Sequence, residues 1–165
     1  SGLNHQTGRE TPLDTRFHVA MFGAFGYELD ATTFTAEEKE TVKEQVHFIK
    51  ENRRLLQFGT FYRLLSPFNG NDTSWMVVDR ESEEAIVAFY RTLAQPNPGL
   101  IRVRLQGLDP DALYEIEHTG EKMYGDEVMN IGLLLPPFFS GTAITEQTRL
   151  KGDYQSHIWK LRKVK

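Results

Sequence analysis

The sequence predicts a mainly β chain, in which an α/β opening third gives way to an antiparallel β-sandwich. The prediction rests on a helical apolar stripe bounded by start and stop signals, and on a change of period after it, from about 3.6 to about 2. It rests also on a series of strand-length segments parted by turn clusters, with no intervening helix.

Taken in order, "VAMFGAFGYELD" (Val19 to Asp30) is apolar with small residues and ends in acidic ones, the pattern of a buried strand leaving a sheet. The helix that follows spans 35–58. Thr35 caps it and Glu38 completes a capping box. Glu37, Glu38 and Glu40 complement the positive end, while Lys50, Arg53 and Arg54 lie toward the negative end. Val42, Val46, Ile49 and Leu56 trace the stripe expected to be buried, and Gly59 is the stop. The stretch "QFGTFYRLLSPF" is therefore a junction between two architectures.

Beyond it, "TFYRLLS", "TSWMVVD", "EAIVAFYRT", "LIRVRLQ", "LYEIE" and "YQSHIWKLRKV" alternate like strands. The clusters "NGND", "DRESEE", "QPNPG", "GLDPD" and "LKGD" separate them. Alternation also suggests one hairpin. With Gln106 opposite Leu113, Val103 faces Ile116 and Leu105 faces Tyr114 on the buried side, and Arg104 meets Glu115 on the wet side.

The net charge of −4 and pI near 5.7 give no reason to expect nucleic acid or acidic lipid as a partner. No apolar run reaches the roughly 20 residues that cross a bilayer, and no signal peptide is visible, so no membrane partner is expected. The absence of cysteine excludes disulfides and thiolate chemistry and fits a cytoplasmic location. Asn71-Asp72-Thr73 matches the glycosylation triplet, a pattern that chance also produces.

No assembled active site is visible. A glycosidase needs carboxyl groups opposed across a sugar, about 5 to 9.5 Å apart. Glu28 and Asp30 stand two residues apart where a strand would end, but a solvated loop is the commoner reading of such a pair. His5, His18, His47, His118 and His157 form no metal-ligand spacing, so neither a metal nor a cofactor is expected. Phe61, Tyr62, Trp75, Phe89, Tyr90 and Trp159 would bind sugar if exposed in a groove, and would be core if buried.

The blocks "NHQTGRETPLDTR", "FGYELD", "EEKETVKEQVHFIKENRRLLQFGTFYRLLSP", "WMVV", "LAQPNP", "LQGLDPDALYEIE" and "GDEVMNIGL" resemble, in consistent order, the C-terminal part of bacterial α-galactosidases of glycoside hydrolase family 36. The resemblance implies that residues 1–58 are the closing βα portion of a (β/α)8 barrel and 59–165 the antiparallel β-sandwich that follows it. "NHQTGR" would be a barrel loop, "TPLDTRFHVAM" helical and "FGAFGYELD" the last strand.

It also implies that both catalytic aspartates, in Lys-x-Asp and Ser-Asp motifs, lie upstream, so neither motif is expected here. No catalytic, cofactor-binding or metal residue is carried over, and Glu28 and Asp30 revert to a loop role. The partners implied are the rest of the barrel, the α-galactosides of the parent enzyme and further copies in a homo-oligomer. An independent carbohydrate-binding sandwich is the alternative.

Overall fold

The computed structural model describes residues 6–28, 30–96, 99–135 and 152–165. Two helices lie on one face of a six-stranded antiparallel sheet, and a small second sheet lies on the other. Helix α1 is Leu13–Ala20 and α2 is Ala36–Phe58. The large sheet contains β1 (Thr60–Leu65), β2 (Asp72–Val78), β3 (Glu84–Arg91), β5 (Leu113–Ile116), β6 (Lys122–Tyr124) and β8 (Gln155–Lys163), in the order β1-β2-β3-β8-β5-β6. The second sheet pairs β4 (Arg102–Val103) with β7 (Leu133–Leu134). A short helix, α3 (Gly125–Asn130), separates β6 from β7.

Strand β3 shows why the sheet needs a layer on each side. Ala85, Val87 and Phe89 point into the core shared with the small sheet, and Ile86, Ala88 and Tyr90 into the core shared with the helices. Alternation along a strand sends successive side chains to opposite faces. Here both sets are apolar, so both faces must be covered. The sandwich core gathers Met76, Val87, Phe89, Trp159 and Leu161 from the large sheet against Val103, Leu105, Val128, Leu133 and Leu135. The helical core sets Phe17, Met21 and Leu55 against Val77, Ile86 and Tyr90.

Helix α2 starts as its sequence dictates. Thr35 Oγ1 accepts from Glu38 N at 3.1 Å, and Glu38 Oε2 accepts from Thr35 N at 2.9 Å. Thr35→Ala is expected to cost about 1 kcal/mol, read as a small fall in the thermal midpoint.

Gly59 ends the helix, but not through a left-handed cap. Its backbone is extended, at φ −70° and ψ 166°. What demands glycine is proximity: a Cβ there would stand 2.5 Å from Val77 Cγ2 and 2.6 Å from Leu55 O. The junction stretch is thus a helix end pressed against β2, from which β1 departs at Thr60.

Other expectations need correction. The helix is turned about its axis, so Gln45, Asn52 and Leu55 are its buried residues, while Val42, Val46, Ile49 and Leu56 are half-buried. The two polar residues can enter because both are bonded. Asn52 Nδ2 donates to Phe48 O at 2.8 Å, and Gln45 bridges Tyr27 and Asp14.

The stretch 19–28 forms no strand. Ala20 ends α1 and the rest is irregular, because a parallel strand needs neighbours on both sides and, among the described residues, none stand beside it. Met21 is buried and Phe22 and Phe25 half-buried, while Val19 is 48% exposed.

The 101–117 hairpin is absent. Val103 pairs with Leu133, and Glu115 lies between Lys122 and Arg162. Val103, Leu105, Tyr114 and Ile116 are all buried nonetheless. Alternation identified the inward residues and missed the pairing, since Gly107, at φ +75°, and the residues after it carry the chain from one layer to the other. The charge pairs invoked for that register are worth only about 0.2 to 1 kcal/mol each and could not enforce it.

Candidate functional site

The candidate carboxylates do not face one another across a cleft. Asp30 caps a 3-10 turn (Ala31–Thr33), accepting from Thr32 N at 2.9 Å and Thr32 Oγ1 at 2.6 Å. Those bonds, donated to the charged form, hold its carboxyl below the usual range. Glu28 is exposed on the irregular segment before it.

A Lys-x-Asp triplet does occur, as Lys151-Gly152-Asp153, against the expectation of none. Lys151 lies outside the described residues. Asp153 is exposed, and its Oδ1 accepts from Ala94 N at 2.8 Å, which ties the turn before β8 to the end of β3. It has the part of a loop clamp and does not resemble a nucleophile at a barrel strand's end.

The histidines divide by environment. His5 lies outside the described residues. His47 is exposed on α2, 3.1 Å from Glu51. His18 and His157 share the seam between α1 and β8. His18 Nδ1 is 2.7 Å from Ser156 Oγ, which is 3.0 Å from Thr15 Oγ1, and Thr15 also donates to Tyr154 O at 2.8 Å.

His157 stacks edge-on against Trp159 and His118, at centroid distances of 4.5 and 5.6 Å. Burial lowers both His18 and His157 to about 4; Asp14 opposes the shift at His18, and the neighbouring histidines add to it at His157. These are neutral packing histidines. Among the described residues no group of three His, Cys, Asp or Glu could hold a metal ion.

This seam is part of a polar frame that fastens the helices to the sheet. Tyr90 of β3 donates to the carbonyl of His18 in α1. The Tyr27 hydroxyl donates to Gln45 of α2, whose amide donates to Asp14 of α1 at 3.0 Å. Burial, then the charge of Asp14, raises the Tyr27 phenol. Each bond is directional, so the frame fixes where the apolar helical core may settle.

A cleft of about 500 Å³ opens beside β1 and β2. Its floor is Arg91, 3% exposed, which donates from Nε and Nη2 to the two Asp72 oxygens at 2.8 and 3.0 Å. Leucines, Ile101, asparagines, Ser66, Gln95 and Arg102 also line it, and among the described residues no aromatic side chain does. Phe89, Tyr90 and Trp159 are buried and Tyr62 and Trp75 half-buried; Phe61 is the exposed member of the set, at 44%. All but Phe61 belong to or pack against the two cores. Thr73 of the glycosylation triplet is buried in β2, and its Asp72 is the partner of Arg91.

With this geometry in view, two family models match the chain. "Glycosyl hydrolase family 36 C-terminal domain" matches residues 72–161 and "Melibiase" residues 1–59. The chain is 53% identical over 153 residues, 92% of its length, to alpha-galactosidase AgaA of Geobacillus stearothermophilus. It is 43% identical over 133 residues to alpha-galactosidase Mel36A of Lactobacillus acidophilus.

Among solved structures, Geobacillus AgaA A355E in complex with 1-deoxygalactonojirimycin superposes with a TM-score of 0.88 at 48% identity, covering 99% of this chain and 21% of that one. The alpha-galactosidase of Lactobacillus brevis superposes at 0.86 with 40% identity. The chain spans about one fifth of the length of these relatives, 21% of AgaA and 18% of Mel36A.

Proposed function

The chain belongs to glycosyl hydrolase family 36, and from that premise we propose that it is the C-terminal part of an α-galactosidase, structural in its own role and inactive alone. The whole enzyme, on this reading, removes terminal α-linked galactose from oligosaccharides such as raffinose and melibiose, with retention and without a cofactor. Retention calls for two closely opposed carboxyl groups, which the proposal assigns to upstream aspartates. Its partners are then the remaining barrel, the α-galactoside and further copies of the chain, in the cytoplasm. A relative's solved complex with raffinose supports that substrate class.

The supporting observation is the junction at Gly59. The melibiase match ends at residue 59, the helix ends at Phe58, and the sheet begins at Thr60. We place the boundary between the barrel-derived part, 1–58, and the sandwich, 59–165, at that point. The half-buried flank of Val42 and Val46 fits a helix that meets further barrel elements in the whole enzyme. A free-standing sugar-binding module is disfavoured by the burial or half-burial of every candidate ring but Phe61 and, among the described residues, by a cleft lined without aromatic side chains.

The test is to assay this chain and a parent enzyme side by side on a chromogenic α-galactoside. The parent should turn over and the chain should not. Turnover by the purified chain would overturn the reading.

A further inference from the structure

Asn69 and Gly70 lie in the exposed turn between β1 and β2. The turn is anchored ahead of them: Phe68 N donates to Ser66 Oγ at 3.3 Å and Asn69 N to Ser66 O at 3.2 Å. Among the described residues nothing hydrogen-bonds the Asn69 side-chain amide or the Gly70 N–H. Gly70 has φ +155°, open space lies where a Cβ would stand, and glycine carries no side chain of its own to crowd its amide nitrogen.

We infer that Asn69 is a site of self-modification, its side-chain amide being lost through attack by the Gly70 backbone nitrogen. Hydroxide removes the Gly70 N–H proton. The nitrogen then bonds to Asn69 Cγ, and the Cγ–Nδ2 bond breaks, releasing ammonia with a proton from solvent. The five-membered succinimide that remains takes up water at either carbonyl, giving an aspartyl or an isoaspartyl linkage. No electrons are transferred, and hydroxide and water are the co-reactants.

The other described asparagines are held against this reaction. Asn52 is buried within α2 and bonded to Phe48 O. Asn130 ends α3 and donates to Asp126 O at 2.8 Å. Asn71 is followed by Asp72, whose backbone is registered opposite Arg91 in β2 and whose carboxylate is held by the Arg91 guanidinium. The change would matter to the cleft. Asn69 shares its wall with Asp72, Arg91 and Arg102, so each event adds a carboxylate there. The isoaspartyl route also inserts a methylene into the backbone that feeds β2.

The experiment is incubation of the full chain at body temperature over a series of mildly alkaline pH values. Peptide mass mapping and anion exchange supply the readouts. An amide-to-acid mass gain at residue 69 is expected, as a mixture of aspartyl and isoaspartyl forms. It should accumulate faster at higher pH, with Asn52, Asn71 and Asn130 intact. In Asn69→Gln the acidic species should be lost, because glutamine would need a six-membered ring. An unchanged Asn69, an acidic species that persists in Asn69→Gln, or an aspartyl product with no isoaspartyl form would each overturn the inference.

Discussion

Gly125→Ala is expected to destabilise the sandwich by more than about 3 kcal/mol, beyond the usual cost of overpacking a core. Gly125 opens α3 where the chain passes beneath the 107–112 crossover. A Cβ there would stand 1.9 Å from Asp109 O and 2.8 Å from Asp109 C. These are backbone atoms and cannot swing aside as a flexible side chain would. Moving them would also disturb the bonds that lock the crossover, Gly125 N to Ala112 O at 2.9 Å and Asp109 N to the Tyr114 hydroxyl at 3.0 Å.

For a chain of this size the thermal midpoint should fall by roughly 6 to 12 °C. Gly26→Ala is the control. Nothing lies within 4 Å of its added Cβ, so it should stay within about 0.5 kcal/mol of the parent chain. Equal midpoints for the two variants would show that the crossover yields and that Gly125 is not constrained.

Acid should loosen the attachment of α1 to the sheet well before general acid unfolding. His18 and His157 titrate near 4 when folded, against 6.5 for the free side chain, because burial disfavours their charged forms. The unfolded chain therefore takes up protons first as pH falls. The stability from keeping both neutral is complete above about pH 6.5 and is lost between there and about pH 4. By pH 5 each should have forfeited about 2 kcal/mol.

The groups facing them are Asp14, which softens the effect at His18, and His118, which sharpens it at His157. Between pH 7 and 5 most carboxylates stay ionised, so the drop in urea midpoint over that window comes from histidines, and the difference made by substituting His18 or His157 isolates these two. His18→Asn, which can still bond Ser156, should flatten it by about half. A midpoint that stays level from pH 7 to 5 would contradict the assignment.

What the sequence made legible was local. The capping box at Thr35 and Glu38 uses neighbours three residues apart, and β1, β2, β3 and β8 announce themselves as strand-length runs rich in β-branched and aromatic residues. What it hid was set by distant partners. The rotation of α2 depends on Tyr27 and Asp14, which satisfy Gln45 and so admit it to the interface. The strand expected over Val19 to Asp30 depends on parallel neighbours, and among the described residues none stand beside it.

The pairing of β4 with β7 depends on a crossover that no alternation encodes, and α3 and β7 are too short to leave a periodic signal. For the site, the residues themselves disclosed little. The loop roles of Asp30 and Asp153 became visible only through their bonds to Thr32 and Ala94.

Because Phe17, Met21 and Leu55 share a core with Val77, Ile86 and Tyr90, the sheet and the two helices are expected to open as one unit across Gly59. Native-state hydrogen exchange of the whole chain tests it most directly. Segments that open together share one free energy of exchange, whereas an independently opening segment shows a lower one. Amides of Phe48 to Leu55 in α2 should exchange with the same free energy, and the same urea dependence, as those of Ile86 to Tyr90 in β3. Exchange of the α2 amides by a separate, low-energy opening, with β3 still fully protected, would contradict it.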